Sequence, residues 1–191
     1  MDFWSYYFLI INFIGFAVFL VNVCFFGNHT SGKMSLFLGI ISILGGSLGV
    51  VISIFCFDRK AVKSNMMFRV FIICLIIIQL IIMVMVNNGF GESIKFSIIS
   101  FFENNEGLFN YLLVINMITF IAFGIDKFKA INGLWRIRIV TLLGLSFAGG
   151  SLGGLLSMYI FRHKTNVSYF KIGLPLIMVM QIIFIFYMMN I

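Results

Sequence analysis

The sequence predicts an all-α integral membrane protein whose six transmembrane helices form two inverted three-helix repeats. Three observations carry that prediction. Of the 191 residues, 62% are apolar and 10% charged, whereas a soluble domain keeps about a quarter of its residues charged to build a polar shell. The apolar residues gather in runs of about 20, the length a bilayer demands of a spanning helix. Finally, Gly45-Gly46-Ser47-Leu48-Gly49 recurs letter for letter as Gly149-Gly150-Ser151-Leu152-Gly153.

The two copies stand 104 residues apart, and the offset holds without a gap from Tyr7/Tyr111 to Ala61/Thr165, with 18 identities in 55 positions. An apolar composition repeats itself by accident at roughly a tenth of positions, so a tandem duplication is expected. After a two-residue slip, Phe68-Arg69-Val70 meets Phe170-Lys171-Ile172 and Gln79 meets Gln181. The expected division is 1–90 for the first three-span repeat, 91–110 for a linker and 111–191 for the second repeat.

Trp4 to Phe26 is the first apolar run, opened by the interfacial aromatics Trp4, Tyr6 and Tyr7. No basic n-region or cleavage site marks it as a signal peptide. A polar loop, Gly27 to Lys33, leads to the glycine-bearing run Leu36 to Phe57. The basic loop Asp58 to Asn65 precedes the third run, Phe68 to Val86. In the linker, Glu92 to Phe102 is too short to span and mixes charge with Phe and Ile, the pattern of an interfacial helix. The second repeat follows the same plan, with runs at Tyr111–Ile125, Ile139–Phe161 and Phe170–Met189. Pro175 sits in the first turns of the last run, where a missing amide hydrogen costs least.

Three spans is an odd number, so a duplicated unit must enter from the opposite side the second time. On that count one face receives Arg59, Lys60, Lys63, Arg69, Lys127, Lys129, Arg136 and Arg138. The other receives Lys33, Lys95, Arg162, Lys164 and Lys171. The positive-inside rule then places both termini in the cytoplasm of a multi-pass cell-membrane protein.

At Phe123-Gly124-Ile125-Asp126-Lys127, Trp135-Arg136-Ile137, Gly149-Gly150, Met158 and Phe161-Arg162-His163-Lys164-Thr165, the second repeat resembles the bacterial membrane family catalogued as domain of unknown function 1294. The resemblance covers roughly residues 111–185. It implies a three-span unit, found in relatives singly or behind a cold-shock domain, and it implies no activity. Family members follow the Trp-Arg-Ile step with Pro-Glu, where this chain has Arg138-Ile139.

Several residues carry candidate chemistry. Ser42, Gly46, Gly49 and Ser53 share one helical face, as do Ser146, Gly150, Gly153 and Ser157. Small residues at that spacing let helices approach closely, and the two faces are expected to meet as a packing seam. The sharper alternative is a narrow path lined by Ser47 and Ser151. Asn12, Asn116, Gln79 and Gln181 are amides inside apolar runs, either interhelical glue or a polar ring at mid-membrane.

Asp126 closes a span of about 15 apolar residues; it is expected either as a structural clamp neutralised by Arg136 or Arg138 across the turn or, with Arg136, as a contact for an ion or solute. Arg162, His163 and Lys164 suit a lipid phosphate or other anion better than a metal, because the cations repel a metal and no second ligand stands at a useful spacing. The cysteines Cys24, Cys56 and Cys74 fall in apolar runs without metal-ligand spacing. No cofactor, metal site, nucleic-acid partner or enzyme motif is expected. The functional expectation is a small transporter or channel for a solute or ion, monomeric as a fused pseudo-dimer. The alternative is a non-transporting protein that binds anionic lipid headgroups.

Overall fold

The computed structural model describes residues 3–26, 32–57, 66–88 and 97–190. The polar loop at 27–31, the basic loop at 58–65 and the linker residues Glu92 and Lys95 lie outside the described residues, as does the side chain of Trp4. Among the described residues all regular structure is helical, and six helical segments are long and apolar enough to cross a membrane. Their outer surfaces are apolar: Phe25 is 78% exposed, Phe55 70% and Phe13 67%. Water would penalise such a surface and hydrocarbon would not.

The chain forms two compact units, Met1–Ile82 and Met83–Ile191. The first contains α1 (Phe3–Phe26), α2 (Gly32–Ile41), α3 (Ser47–Phe57) and most of α4 (Met66–Asn88). The second contains α5 (Ile98–Asn104), α6 (Glu106–Ile131), α7 (Ile139–Leu145), α8 (Ser151–Ile160), α9 (Ser168–Lys171) and α10 (Gly173–Met189). Phe19, Leu38, Val50, Ile54 and Ile72 form the core of the first unit. The linker helix α5, part of the stretch read as interfacial, buries none of its residues.

The second apolar segment of each unit does not run straight. It breaks between α2 and α3 at Gly45 (φ +114°) and between α7 and α8 at Gly149 (φ +121°). Only glycine adopts that backbone freely, which is why the pair Gly-Gly stands at each break.

The contacts of α8 show how sharp the break is. Asn116 meets Gly153, Phe120 meets Ser157, Gly124 meets Phe161 and Asp126 meets His163. Partner numbers rise together, so α8 runs parallel to α6, the helix that precedes it in the chain. The Asp126 carboxylate accepts a hydrogen bond from the backbone N–H of Ile137 at 3.0 Å and an ion pair from Lys164 at 2.7 Å. Both ends of the segment Ile139–Ile160 therefore meet at one side chain. A straight helix of that length would hold them about 33 Å apart. The segment is a helical hairpin that goes up alongside α6 as α7 and returns as α8.

The first unit repeats the hairpin. Gly45 packs on Phe8, Gly46 on Ile11, and Gly49 on Asn12 and Phe16, so α3 runs parallel to α1. Ile41 at the end of α2 packs near Gly15.

The small-residue faces explain themselves in this arrangement. A Cβ on Gly49 would fall onto the carbonyl oxygen of Asn12, and one on Gly153 onto that of Asn116. The partner of each face is thus the first helix of the same unit. This corrects the expectation that the two faces pack against each other. The returning arm of each hairpin must lie close to the neighbouring helix, and a side chain would hold it off.

Candidate functional site

The polar side chains of each unit collect at two places, the tip of the hairpin and, in the second unit, its base. At the tip, the break strips backbone groups of their helical partners, and in an apolar surround each must be satisfied. Side chains of the flanking helices do this. Gln181 on α10 donates to the carbonyl oxygens of Ser146 (2.6 Å) and Phe147 (3.3 Å), and its own oxygen accepts from the Ser151 hydroxyl. Asn116 on α6 donates to the carbonyl of Gly149 at 3.0 Å and accepts the N–H of Gly153 at 2.7 Å. Tyr111 donates to the carbonyl of Ala148.

The first unit makes the same set. Gln79 donates to Ser42 (2.6 Å) and Ile43 (3.4 Å) and accepts from Ser47. Asn12 accepts from the N–H of Gly49 at 2.9 Å, and Tyr7 donates to Leu44 at 2.9 Å. One difference marks the second unit, where Asn116 also reaches the carbonyl at the break. In the first, the amide nitrogen of Asn12 donates to Phe8 on its own helix.

The four amides and the repeated glycine motif thus form one device, a clamp on a broken helix. Ser42 and Ser146 bond back to the carbonyls of Leu38 and Leu142 on their own helices. Ser157 reaches across to Phe120, while Ser53 turns back to Gly49 and Val50. Tyr7, expected as a membrane-edge aromatic, and its counterpart Tyr111 instead cap the tip with their hydroxyls. Their identity at the same offset as the amides was the available signal.

At the base of the second hairpin, Asp126 is fully buried. It takes the Ile137 N–H, the Lys164 ammonium at 2.7 Å and His163 Nε2 at 2.9 Å. Lys164 also lies 4.8 Å from the centre of the Phe170 ring. The loop reaches back by taking left-handed backbone at Arg162 (φ +45°) and Lys164 (φ +62°). That geometry costs about 1–2 kcal/mol per residue for a side chain with a Cβ, and the buried ion pair holds it.

Arg136 and Arg138, either of which was expected to neutralise Asp126, are both exposed; Lys164 supplies the opposite charge instead, and the Ile137 N–H adds a hydrogen bond. Arg162 is exposed too, and only His163 and Lys164 of the basic motif turn inward. The sequence reading set this motif and Asp126 on opposite membrane faces, and their contact removes that separation. The corresponding position in the first unit is Asn22, which is buried, while the loop after Phe57 lies outside the described residues. No group of three metal-ligating side chains occurs among the described residues.

These features define a helical unit in which two long apolar helices flank a hairpin, with polar clamps at tip and base. The chain belongs to the family described as "Protein of unknown function (DUF1294)", whose model matches residues 116–170. That match spans α6 from Asn116, the whole hairpin and α9 as far as Phe170, so it includes the base clamp and, of the tip, Asn116 and Ser151 but not Tyr111 or Gln181. The chain is 44% identical over 75 residues to the "Uncharacterized protein YsdA" of Bacillus subtilis (strain 168), covering 39% of this chain and 84% of that one. That relative is therefore about as long as one unit. No solved structure matches.

Proposed function

We propose that this is an integral membrane protein, a tandem duplication of one family unit, that acts as a transporter or channel for a small solute or ion. One observation carries the reading. Each unit holds a broken helix inside its apolar body, with its carbonyls and amides gathered at the tip beside Asn, Gln and Ser side chains. Irregular backbone at membrane depth is tolerated where protein buries it or where it lines a cavity, and discontinuous helices recur at transport sites. Here a cavity of about 540 Å³ in the second unit includes Asn116, Ser151 and Gln181 in its wall.

The hairpins also change the membrane topology we propose. With one helix crossing, a hairpin returning to its base and a last helix crossing back, each unit begins and ends on one face. The odd number of crossings that motivated inversion becomes even within the unit. By their place in the chain, the described Lys and Arg of the second unit (Lys127, Lys129, Arg136, Arg138, Arg162, Lys164 and Lys171) then all fall at its hairpin-base face. The positive-inside rule makes the base face of the second unit cytoplasmic and the far end of α10 external, the reverse of the orientation expected from straight spans.

The test is flux. Purified protein in liposomes should release or take up some member of a panel of trapped ions and neutral solutes, and Gly153→Leu protein should not. Absence of flux across the panel would refute the transport reading. It would leave the alternative favoured by the exposed Arg136, Arg138 and Arg162 around the fully exposed Trp135, a protein that docks on anionic headgroups without transporting.

A further inference from the structure

The cavity of the second unit has a chemical character that the clamp does not account for. Its wall is built by α5, α6, α8 and α10; it is chiefly leucine and isoleucine, and among these stand three phenylalanines, Phe102, Phe109 and Phe120, and two methionines, Met117 and Met178. The amides that reach it are already engaged with backbone, so no strong donor is left over for an anion. The wall contains no Lys or Arg.

Charge is distributed along the unit in one direction. Its described cations (Lys127, Lys129, Arg136, Arg138, Arg162, Lys164 and Lys171) sit at the hairpin base or beyond it. Glu103 and Glu106 sit at the other end, in the turn between Phe102 and Phe109. The rings of those two phenylalanines meet edge to face at 5.7 Å, closing that turn at the cavity. Both carboxylates are exposed, and neither pairs with a cation among the described residues.

We propose that this cavity binds lipophilic cations, organic ions that carry a delocalised or shielded positive charge on an apolar body. The inference deepens the transport reading and rests on it for its physiological sense, because it names the substrate class. An apolar cavity of this volume accepts a drug-sized molecule. Phenylalanine faces attract a cation that water has released, by about 0.5–2 kcal/mol each, and methionine adapts to irregular shapes. Two exposed carboxylates beside the wall formed by Phe102 and Phe109 raise the local concentration of cations and depress that of anions. An anion of the same size and shape gains only the apolar contact. The preference for charge sign is thus the signature of the site.

Tetraphenylphosphonium and tetraphenylborate have nearly the same shape and opposite charge. Equilibrium dialysis of the full chain in neutral detergent should give saturable binding of the phosphonium, at least about tenfold tighter than that of the borate. Phe109→Ala should weaken phosphonium binding about tenfold, at the upper end of the cation–π range. The exposed double variant Glu103→Gln with Glu106→Gln, which touches no packed core, should weaken it measurably at low salt and less at high salt. Trp135→Ala, an exposed aromatic at the hairpin base, should leave it unchanged.

Equal binding of the two ions, or insensitivity to both the Phe109 and the glutamate variants, would overturn the proposal. Flux of other solutes without phosphonium binding leaves the transport reading intact and removes this inference. Phosphonium binding without flux of any solute in the panel supports the site and removes transport.

Discussion

The two ends of the segment Ile139–Ile160 give the sharpest test of the fold. Asn132 and Asn166 lie in the turns at its two ends, and both are exposed. A straight span would put them on opposite faces of the bilayer, about 33 Å apart along the helix alone. In the hairpin, Ile137 and Lys164 touch one carboxylate, at 3.0 and 2.7 Å. Each probe position lies within five residues of those contacts, so the two sites share a face. Replacing Cys24, Cys56 and Cys74 by alanine and placing single cysteines at Asn132 or Asn166 permits labelling with an impermeant maleimide. Both should label in inverted vesicles and neither in intact cells. Spin labels on the double variant should report a distance in the hairpin range. Opposite sidedness of the two cysteines would falsify the hairpin, and with it the charge arrangement proposed for the second unit.

The clamp and the clasp make separate demands. Gln181→Leu removes three hydrogen bonds at the tip; at about 0.6 kcal/mol each for bonds within a membrane, it should lower stability by about 2 kcal/mol. Thermal unfolding in detergent checks this against Ile182→Leu, a change at an exposed position beside it. Gly153→Ala should cost more than Gly144→Ala by several kcal/mol, because a methyl group meets the Asn116 carbonyl at the first and open space at the second. Asp126→Asn leaves the ammonium of Lys164, only 12% exposed, beside a neutral amide. Removing one member of a buried pair costs about 3–5 kcal/mol, and faster maleimide labelling at Asn166 would report the loop's release.

Some of this was legible in the residues. Composition and run length disclosed the apolar helices, because both depend on counts that the bilayer constrains directly. The repeated amides and glycines were legible as one constellation, and interhelical bonding was among the readings of the amides. The direction of the second segment was not. Hydropathy measures how apolar a stretch is and carries no sign for its path, so 22 apolar residues read alike whether they cross or return. Two clues pointed to a break. One was the Gly-Gly pair at the centre of the run, since glycine is the residue that accepts a positive φ. The other was the concentrated charge of Arg162, His163 and Lys164 on what straight spans made the unfavourable face.

That misplaced charge leads to the difference between the two hairpins. In the second unit the loop after the hairpin turns two residues inward, and buried Asp126 receives them. At the equivalent depth the first unit has Asn22, whose amide oxygen is buried and has no hydrogen-bond partner among the described residues. An amide cannot neutralise an ammonium, so the same loop lysine, Lys60 at the position of Lys164, cannot be held in the first unit by the same ion pair. The tips, by contrast, retain every type of clamp residue: Tyr7 and Tyr111, Asn12 and Asn116, Ser47 and Ser151, Gln79 and Gln181. A broken helix in an apolar body requires its tip to be satisfied in both units, whereas the base admits more than one closure. Asp126, His163 and Lys164 therefore belong to what is particular to the second unit, and the tip belongs to what any copy of the unit must keep in order to fold.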